Sequence, residues 1–502
     1  MQRVNLGLRF AAFIATAAWL GAAADASAGT PTIALTPAQN HPQGNTQVSG
    51  KYFGASEGVD IYFDTTDEAL AVTNPSGAFP KTPIGVPASA TPGIHYVTAI
   101  GRHSGLAAQK AFTVNTDWAQ FHFGVQKKGN NPYENVINSG NAASLDVAWT
   151  GATQGEIYLS SPAVVNGVVY IGSLDGKLYA FNATSGASLS GWPVTTGGVI
   201  YSSPAAANGV VYVGATDGKL YAFNATSGAS LSGWPVTTGG QISSSPAVAN
   251  GVVYVGATDD KLYAFNATSG ALLPGWPATT GGIIVSSPAV ANGVVYVGSA
   301  DDKLYAFNAT SGAILSGSWP ATTGGEIEDA PALAKGVVYI GSDDDKLYAF
   351  NATSGVLRSA VTTGAHIVSS PAVANGAVYV GSEDGILYAV NASTGTMLWS
   401  VYAGGVIDSS PAVANGVVYV GSEDGDLYAF DQYGDLLCIA ATGNSITSSP
   451  AVANGMVYVG SADGNLYAYA LNAGNNAIYR KKPEPPAISS LHPDWGLKPA
   501  KN

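Results

Sequence analysis

Cysteine is almost absent: Cys438 is the only one in 502 residues. One thiol forms neither an internal disulfide framework nor a multi-cysteine metal site. Arginine is nearly as scarce, limited to Arg3, Arg9, Arg102, Arg358 and Arg480. Only 11% of residues are charged, and 20 basic side chains stand against 33 acidic ones, a formal net charge of −13. A phosphate-backbone binder needs a dense basic face, so nucleic acid is not an expected partner. His366 is the only histidine between residues 145 and 472, so no multi-histidine metal site forms there. There is no His-Glu-x-x-His and no phosphate-binding glycine loop. Gly54-Ala-Ser56-Glu-Gly58 matches Gly-x-Ser-x-Gly, but no helix pattern follows it, and it reads as a turn rather than a nucleophile elbow.

Glycine and apolar residues are abundant. Glycine supplies 63 residues, well above the usual level of roughly 7%, while 46% of the chain is hydrophobic. Together these predict all-β structure rich in tight turns. Residues 1–28 stand apart: Arg3 and Arg9 precede an apolar run, Phe10 to Ala24, that ends in Ala26-Ser27-Ala28. This is the layout of a signal peptide cleaved after Ala28, and it predicts a secreted or periplasmic protein. No later stretch is long and apolar enough for a transmembrane segment.

The dominant feature is a repeat of Ser-Ser-Pro-Ala-Val-Ala-Asn-Gly-Val-Val-Tyr-Val-Gly-Ser. Its prolines are 162, 204, 246, 288, 331, 371, 411 and 450, spaced by 42, 42, 42, 43, 40, 40 and 39 residues. A period near forty with short β patterns predicts a propeller. Each repeat reads as four strands: Ile-x-Ser-Ser-Pro-Ala-Val, then Val-Val-Tyr-Val-Gly after an Asn-Gly turn, then Leu-Tyr-Ala-Phe after an Asp turn, then a strand marked by Trp. The last repeat lacks a fourth strand. The segment Leu145-Asp-Val-Ala-Trp149-Thr, ahead of the first repeat, resembles one. Moving it onto the last blade closes eight blades and hides both open edges.

The repeat resembles the PQQ-like propeller family, which includes quinoprotein alcohol dehydrogenases and the propeller subunit of the bacterial outer-membrane assembly machine. Ala389-Val-Asn391-Ala-Ser-Thr394-Gly395-Thr-Met-Leu-Trp399 carries the full blade motif, and Ala180-Phe-Asn182-Ala-Thr-Ser185-Gly186 carries its first part. The resemblance implies that Trp149, Trp192, Trp234, Trp276, Trp319 and Trp399 dock one blade on the next. It also raises a PQQ cofactor with calcium and a PQQ-dependent dehydrogenase activity. The neighbouring cysteine pair of the dehydrogenases is absent, since Cys438 stands alone.

The predicted fold class is an all-β chain: an eight-bladed β-propeller of PQQ-like repeats (145–472), preceded by a small immunoglobulin-like β-sandwich (29–116). A connector (117–144) packs on the propeller through Trp118, Phe121, Phe123 and Tyr133, and a proline-rich tail (473–502) follows. The Asp-rich turns such as Asp343-Asp344-Asp345 read as hairpin turns, because they lack calcium-loop spacing. The Asn-Ala-Thr sequons at Asn182, Asn224, Asn266, Asn308 and Asn351 read as turn residues.

Comparing the repeats with one another locates a site. The residue four before the proline is Ile in seven repeats and Tyr158 in the first, and is expected to face between blades. The residues three and five before it, Ile157 included, are then expected to face the central channel. Those positions are mostly apolar in the first four blades, whereas the next three bring Glu326, Glu328, His366 and Asp408, and Asp329 replaces a serine. These residues form a candidate pocket for a cation or an amine-bearing ligand; a solvated funnel accounts for the same pattern. The functional expectation is a monomeric, exported, non-enzymatic scaffold for a protein, glycan or envelope component. A PQQ-dependent oxidoreductase and an outer-membrane assembly subunit are the alternatives.

Overall fold

The computed structural model describes residues 29–471. The signal-peptide and tail expectations lie outside these residues. The chain divides into two compact units, one ending at Val114 and one starting at Asn115.

The first unit is built from β1 (Thr32–Thr36), β2 (Gln39–Asn40), β3 (Asn45–Lys51), β4 (Gly58–Phe63), β5 (Thr66–Val72), β6 (Phe79–Gly85), β7 (Gly93–Gly101) and β8 (Ala107–Val114). They form a three-stranded sheet, β1-β3-β6, and a five-stranded sheet, β2-β8-β7-β4-β5. Strand alternation sends Val48 and Ile84 from one sheet and Ile61, Val97 and Phe112 from the other into one core. The Gly-x-Ser-x-Gly segment is a turn held by Glu57, whose carboxylate accepts from the amides of Gly54, His103 and Ser104.

The second unit is an eight-bladed propeller. Seven blades are four-stranded, and blade 7 gains a fifth strand, β9 (Asn130–Asn131), from the connector. The alternating Tyr, Ala and Phe of the strands pack in layers between blades, where the apolar clusters lie. At each blade boundary the Ile ahead of the repeat proline fills the space beside a glycine of the preceding blade. A Cβ on Gly214 would stand 2.1 Å from Ile242 Cγ2, so no side chain fits there.

Ring closure follows the strand count. β10 (Leu145–Ala152) pairs antiparallel with the third strand of blade 8, Asn465–Leu471, with Val147 opposite Tyr469 and Trp149 opposite Ala468. Two strand details differ from expectation. The innermost strands contain only the three residues after each proline, such as Ala163–Val165, because proline has no N–H and the serines before it bond to neighbouring blades instead. The fourth strands of blades 1 to 4 are two residues long, as at Val194–Thr195, whereas those of blades 5 to 7 run for six.

The connector makes a circuit of the channel. In blades 1 to 7 the amide two residues after the proline donates to it: Val164 to Trp118 O, Ala206 to Ala119 O, Val248 to Gln120 Oε1, Val290 to Val125 O, Leu333 to Gln126 O, Val373 to Lys128 O and Val413 to Gly129 O. In blade 8, Asn131 Nδ2 donates to Val452 O. Innermost strands otherwise present unpaired edges to the channel, and one segment reaches every blade with at least one hydrogen bond.

Candidate functional site

The propeller holds a cavity of about 350 Å³, lined in part by Phe121 of the connector. Around it runs a ring of residues immediately before each repeat proline, serine in seven of the eight blades. The amide of each donates to the hydroxyl of the next: Ser161 N to Ser203 Oγ, Ser203 N to Ser245 Oγ, Ser370 N to Ser410 Oγ and Ser449 N to Ser161 Oγ, all at 2.9 Å. The ring breaks once, at blade 5, where Ala330 offers no hydroxyl to Ser287.

Blade 5 is also where the acids enter. Asp329 replaces the other serine of the pair and takes over its role, accepting from Gly341 N at 2.8 Å as Ser369 does from Gly381 N. Its second oxygen is buried with no hydrogen-bond partner. Burial, together with the Asp343 and Glu328 charges, pushes Asp329 well above the usual carboxylate range. Burial first, then the charges of Glu423, Glu383 and Glu328 and a hydrogen bond with Glu423, push Asp408 up to about 7. Glu328 is raised by burial and by Asp343, Glu326 and Glu383.

Not every expected residue lines the cavity. Glu328, Asp329 and Asp408 do, whereas Glu326 and His366 stand exposed outside it. The carboxylates of Glu326, Glu328 and Asp343 bring oxygens within 4.8 Å of one another. His366 faces Glu383 at 3.9 Å and Asp345 at 4.0 Å.

The placement of Ile157 and Tyr158 is corrected. Ile157 is fully buried and takes the inter-blade place, with its Cγ2 beside Gly460, as Ile200 does beside Gly172. Tyr158 lines the cavity instead, its ring edge-on to Tyr201 at 6.2 Å. Blade 1 carries one extra residue, Leu159, accommodated by a positive φ of 63°. Counting back from the proline therefore shifted this blade by one.

Three acids were missed: Asp343, Glu383 and Glu423. Each precedes the invariant aspartate of the turn between the second and third strands. The eight residues at that place are Leu174, Thr216, Thr258, Ala300, Asp343, Glu383, Glu423 and Ala462, acidic only in blades 5 to 7. The comparison that singled out Glu328 and Asp408 would have found them. The invariant aspartates are structural: Asp175 Oδ2 accepts from Tyr179 Oη at 2.6 Å, and every blade repeats this.

The tryptophans lie at blade boundaries. Trp192 packs on Tyr170 of its own blade and Phe223 of the next, and Trp234 and Trp276 repeat this. Trp149 lies between Tyr458 of blade 8 and Phe181 of blade 1 and donates to Ala183 O. Trp319 packs on Tyr296 and donates to Thr353 O, and Trp399 packs on Tyr379 and donates to Gln432 O.

Fold and repeat together define a closed eight-bladed propeller of PQQ-like repeats. The chain belongs to the family described as outer membrane protein assembly factor BamB, whose model matches residues 134–231, 231–319, 310–407 and 402–492. No curated protein matches the sequence. Among solved structures, BamB from Moraxella catarrhalis is 21% identical with a TM-score of 0.56, covering 66% of this chain and 99% of its own. Quinohemoprotein alcohol dehydrogenase from Comamonas testosteroni is 17% identical with a TM-score of 0.61, covering 74% and 82%. The computationally designed Ika8 protein is 18% identical with a TM-score of 0.56, covering 64% and 98%. At these identities the likeness is one of fold. Among the described residues no helix is long and apolar enough to cross a membrane.

Proposed function

We propose that this protein is an exported, non-enzymatic binding propeller whose cavity-bearing face receives a positively charged partner. The observation that carries the reading is the place where near-identical blades depart from one another: an arc of carboxylates on blades 5 to 7, gathered at one cavity mouth. Facing carboxylates repel, and a bound cation relieves that repulsion. The serine hydroxyls around the cavity accept from backbone amides, and among the described residues no histidine, cysteine or lysine lines it to activate a nucleophile.

PQQ does not fit this lining. It is a tricarboxylate, and the cavity meets it with Glu328, Asp329, Glu383 and Asp408 and with neither arginine nor lysine. Calcium is chemically compatible with the Glu326, Glu328 and Asp343 oxygens. A second reading, an envelope assembly subunit, is favoured by the family match. It predicts co-purification with outer-membrane barrels.

The test is calorimetry at low ionic strength with calcium and with a hexalysine peptide, on wild type and on Glu326→Gln/Glu328→Gln/Asp343→Asn. Binding of either cation by wild type, weakened about tenfold or more in the variant, is expected. Absence of any cation binding defeats the reading. So does alcohol-dependent dye reduction after PQQ and calcium are added.

A further inference from the structure

The cavity has two unlike sides. On one, Glu328, Asp329 and Asp408 present carboxyl groups; on the other, Tyr158, Tyr201 and Val285 present rings and methyl groups. Phe121 of the connector adds a further aromatic ring to the lining. Tyr158 and Asp408 line the same cavity, and after burial the Asp408 and Glu423 charges raise the Tyr158 phenol. Asp329 is the most buried of the lining acids. It is only 3% exposed, and its second oxygen has no hydrogen-bond partner among the described residues. A buried carboxyl oxygen without a donor is costly to leave so, and a ligand that brings an N–H removes that cost.

A metal ion uses only half of these features. It takes oxygens and keeps its other ligands wet, and it gains little from valine, tyrosine and phenylalanine faces. The oxygens that best suit a metal, those of Glu326, Glu328 and Asp343, belong to the exposed rim rather than the depth. An ammonium group on an aliphatic stem uses both sides: its N–H groups donate to carboxylates, its charge lies over aromatic faces, and its methylenes displace water from apolar ones. A cavity of about 350 Å³ admits such a group together with its stem.

Resting on the reading above that this face takes a positively charged partner, we propose that the ligand group is a primary alkylammonium, seated between the Tyr158–Tyr201 pair and the Asp329–Asp408 acids. Its source is either a free diamine or a lysine side chain presented by a partner protein. Both sources offer the same chemistry and differ in what lies outside the cavity.

The experiment is calorimetry on the mature full chain with three probes: cadaverine, a capped Gly-Lys-Gly peptide and calcium. The variants are Tyr201→Ala and Asp408→Asn, with thermal unfolding to show that each is folded. Saturable binding of cadaverine or the lysine peptide is expected, about tenfold weaker or more in each variant, and the tighter probe identifies the source. If neither amine binds while calcium does, the alkylammonium assignment is overturned and the cationic-ligand reading survives. Amine binding unchanged in both variants overturns the assignment too, because the charge is then being met elsewhere on the acidic surface. If no cation of any kind binds, both fall.

Discussion

Two buried ionisable side chains show how single residues tune this propeller. Asp408 is held up to about 7 by burial and by Glu423, Glu383 and Glu328, and Tyr158 is the neutral group sharing its field. The native state therefore retains a proton that the unfolded chain loses near pH 4, so the carboxyl lowers stability as pH rises from about 4 to about 7. Asp408→Asn is expected to stabilise the protein by about 2 kcal/mol at pH 8, allowing for screening at the cavity mouth, and to have no effect below pH 4. Thermal unfolding across that range checks it. Lys127 has the opposite sign. Its amine is fully buried over the Phe121 ring, 5.2 Å from the centroid, with no hydrogen-bond partner among the described residues. Burial lowers it to about 7. The penalty is complete below pH 7 and fades toward pH 10.5. Lys127→Met should accordingly raise stability by roughly 2–4 kcal/mol at pH 6 and by little at pH 10, measured by denaturant unfolding. Glu328 and Asp408 were legible because the repeats serve as their own alignment. Lys127 was not, since nothing in a lone lysine outside the repeats says that a channel will close over it.

At the level of elements, the serine ring and the connector do for the channel what a partner strand does for an open sheet. Seven hydroxyls each take an amide from the preceding blade, and Ala330 is the missing eighth. Ala330→Ser is expected to restore the bond to Ser287 and raise stability by about 1 kcal/mol, read as a higher denaturant midpoint with an unchanged slope. The same position serves seven other blades with serine, so space for the hydroxyl follows from the repeat geometry. The sequence marked the connector's aromatic pegs, but not its circuit. That circuit consists mostly of backbone hydrogen bonds, which leave no trace in side-chain pattern beyond Gln120 and Asn131, the two members that serve their blades through side chains.

For the whole propeller, the decisive element is the strand that comes first in the chain and last in the ring. Trp149 on β10 lies against both blade 8 and blade 1, so it spans the seam where the first and last blades meet. Trp149→Ala should cost about 3–5 kcal/mol, and more than Trp399→Ala, whose indole is partly exposed. Equilibrium unfolding of the two variants makes the comparison. The repeat period, the all-β blades, their number and the pairing of Leu145–Thr150 with the last blade were all determined by the sequence itself. They rest on local periodicity and on counting strands, which each repeat states afresh. Tertiary structure alone decided which side chains share a cavity. Glu328, Glu383 and Asp408 come from three successive blades, and the packing of those blades side by side brings their charges within reach of one another. It also decided that Tyr158 turns inward: one extra residue ahead of a proline is invisible to counting, yet packing resolves it, because Ile157 fits beside Gly460 and a tyrosine does not.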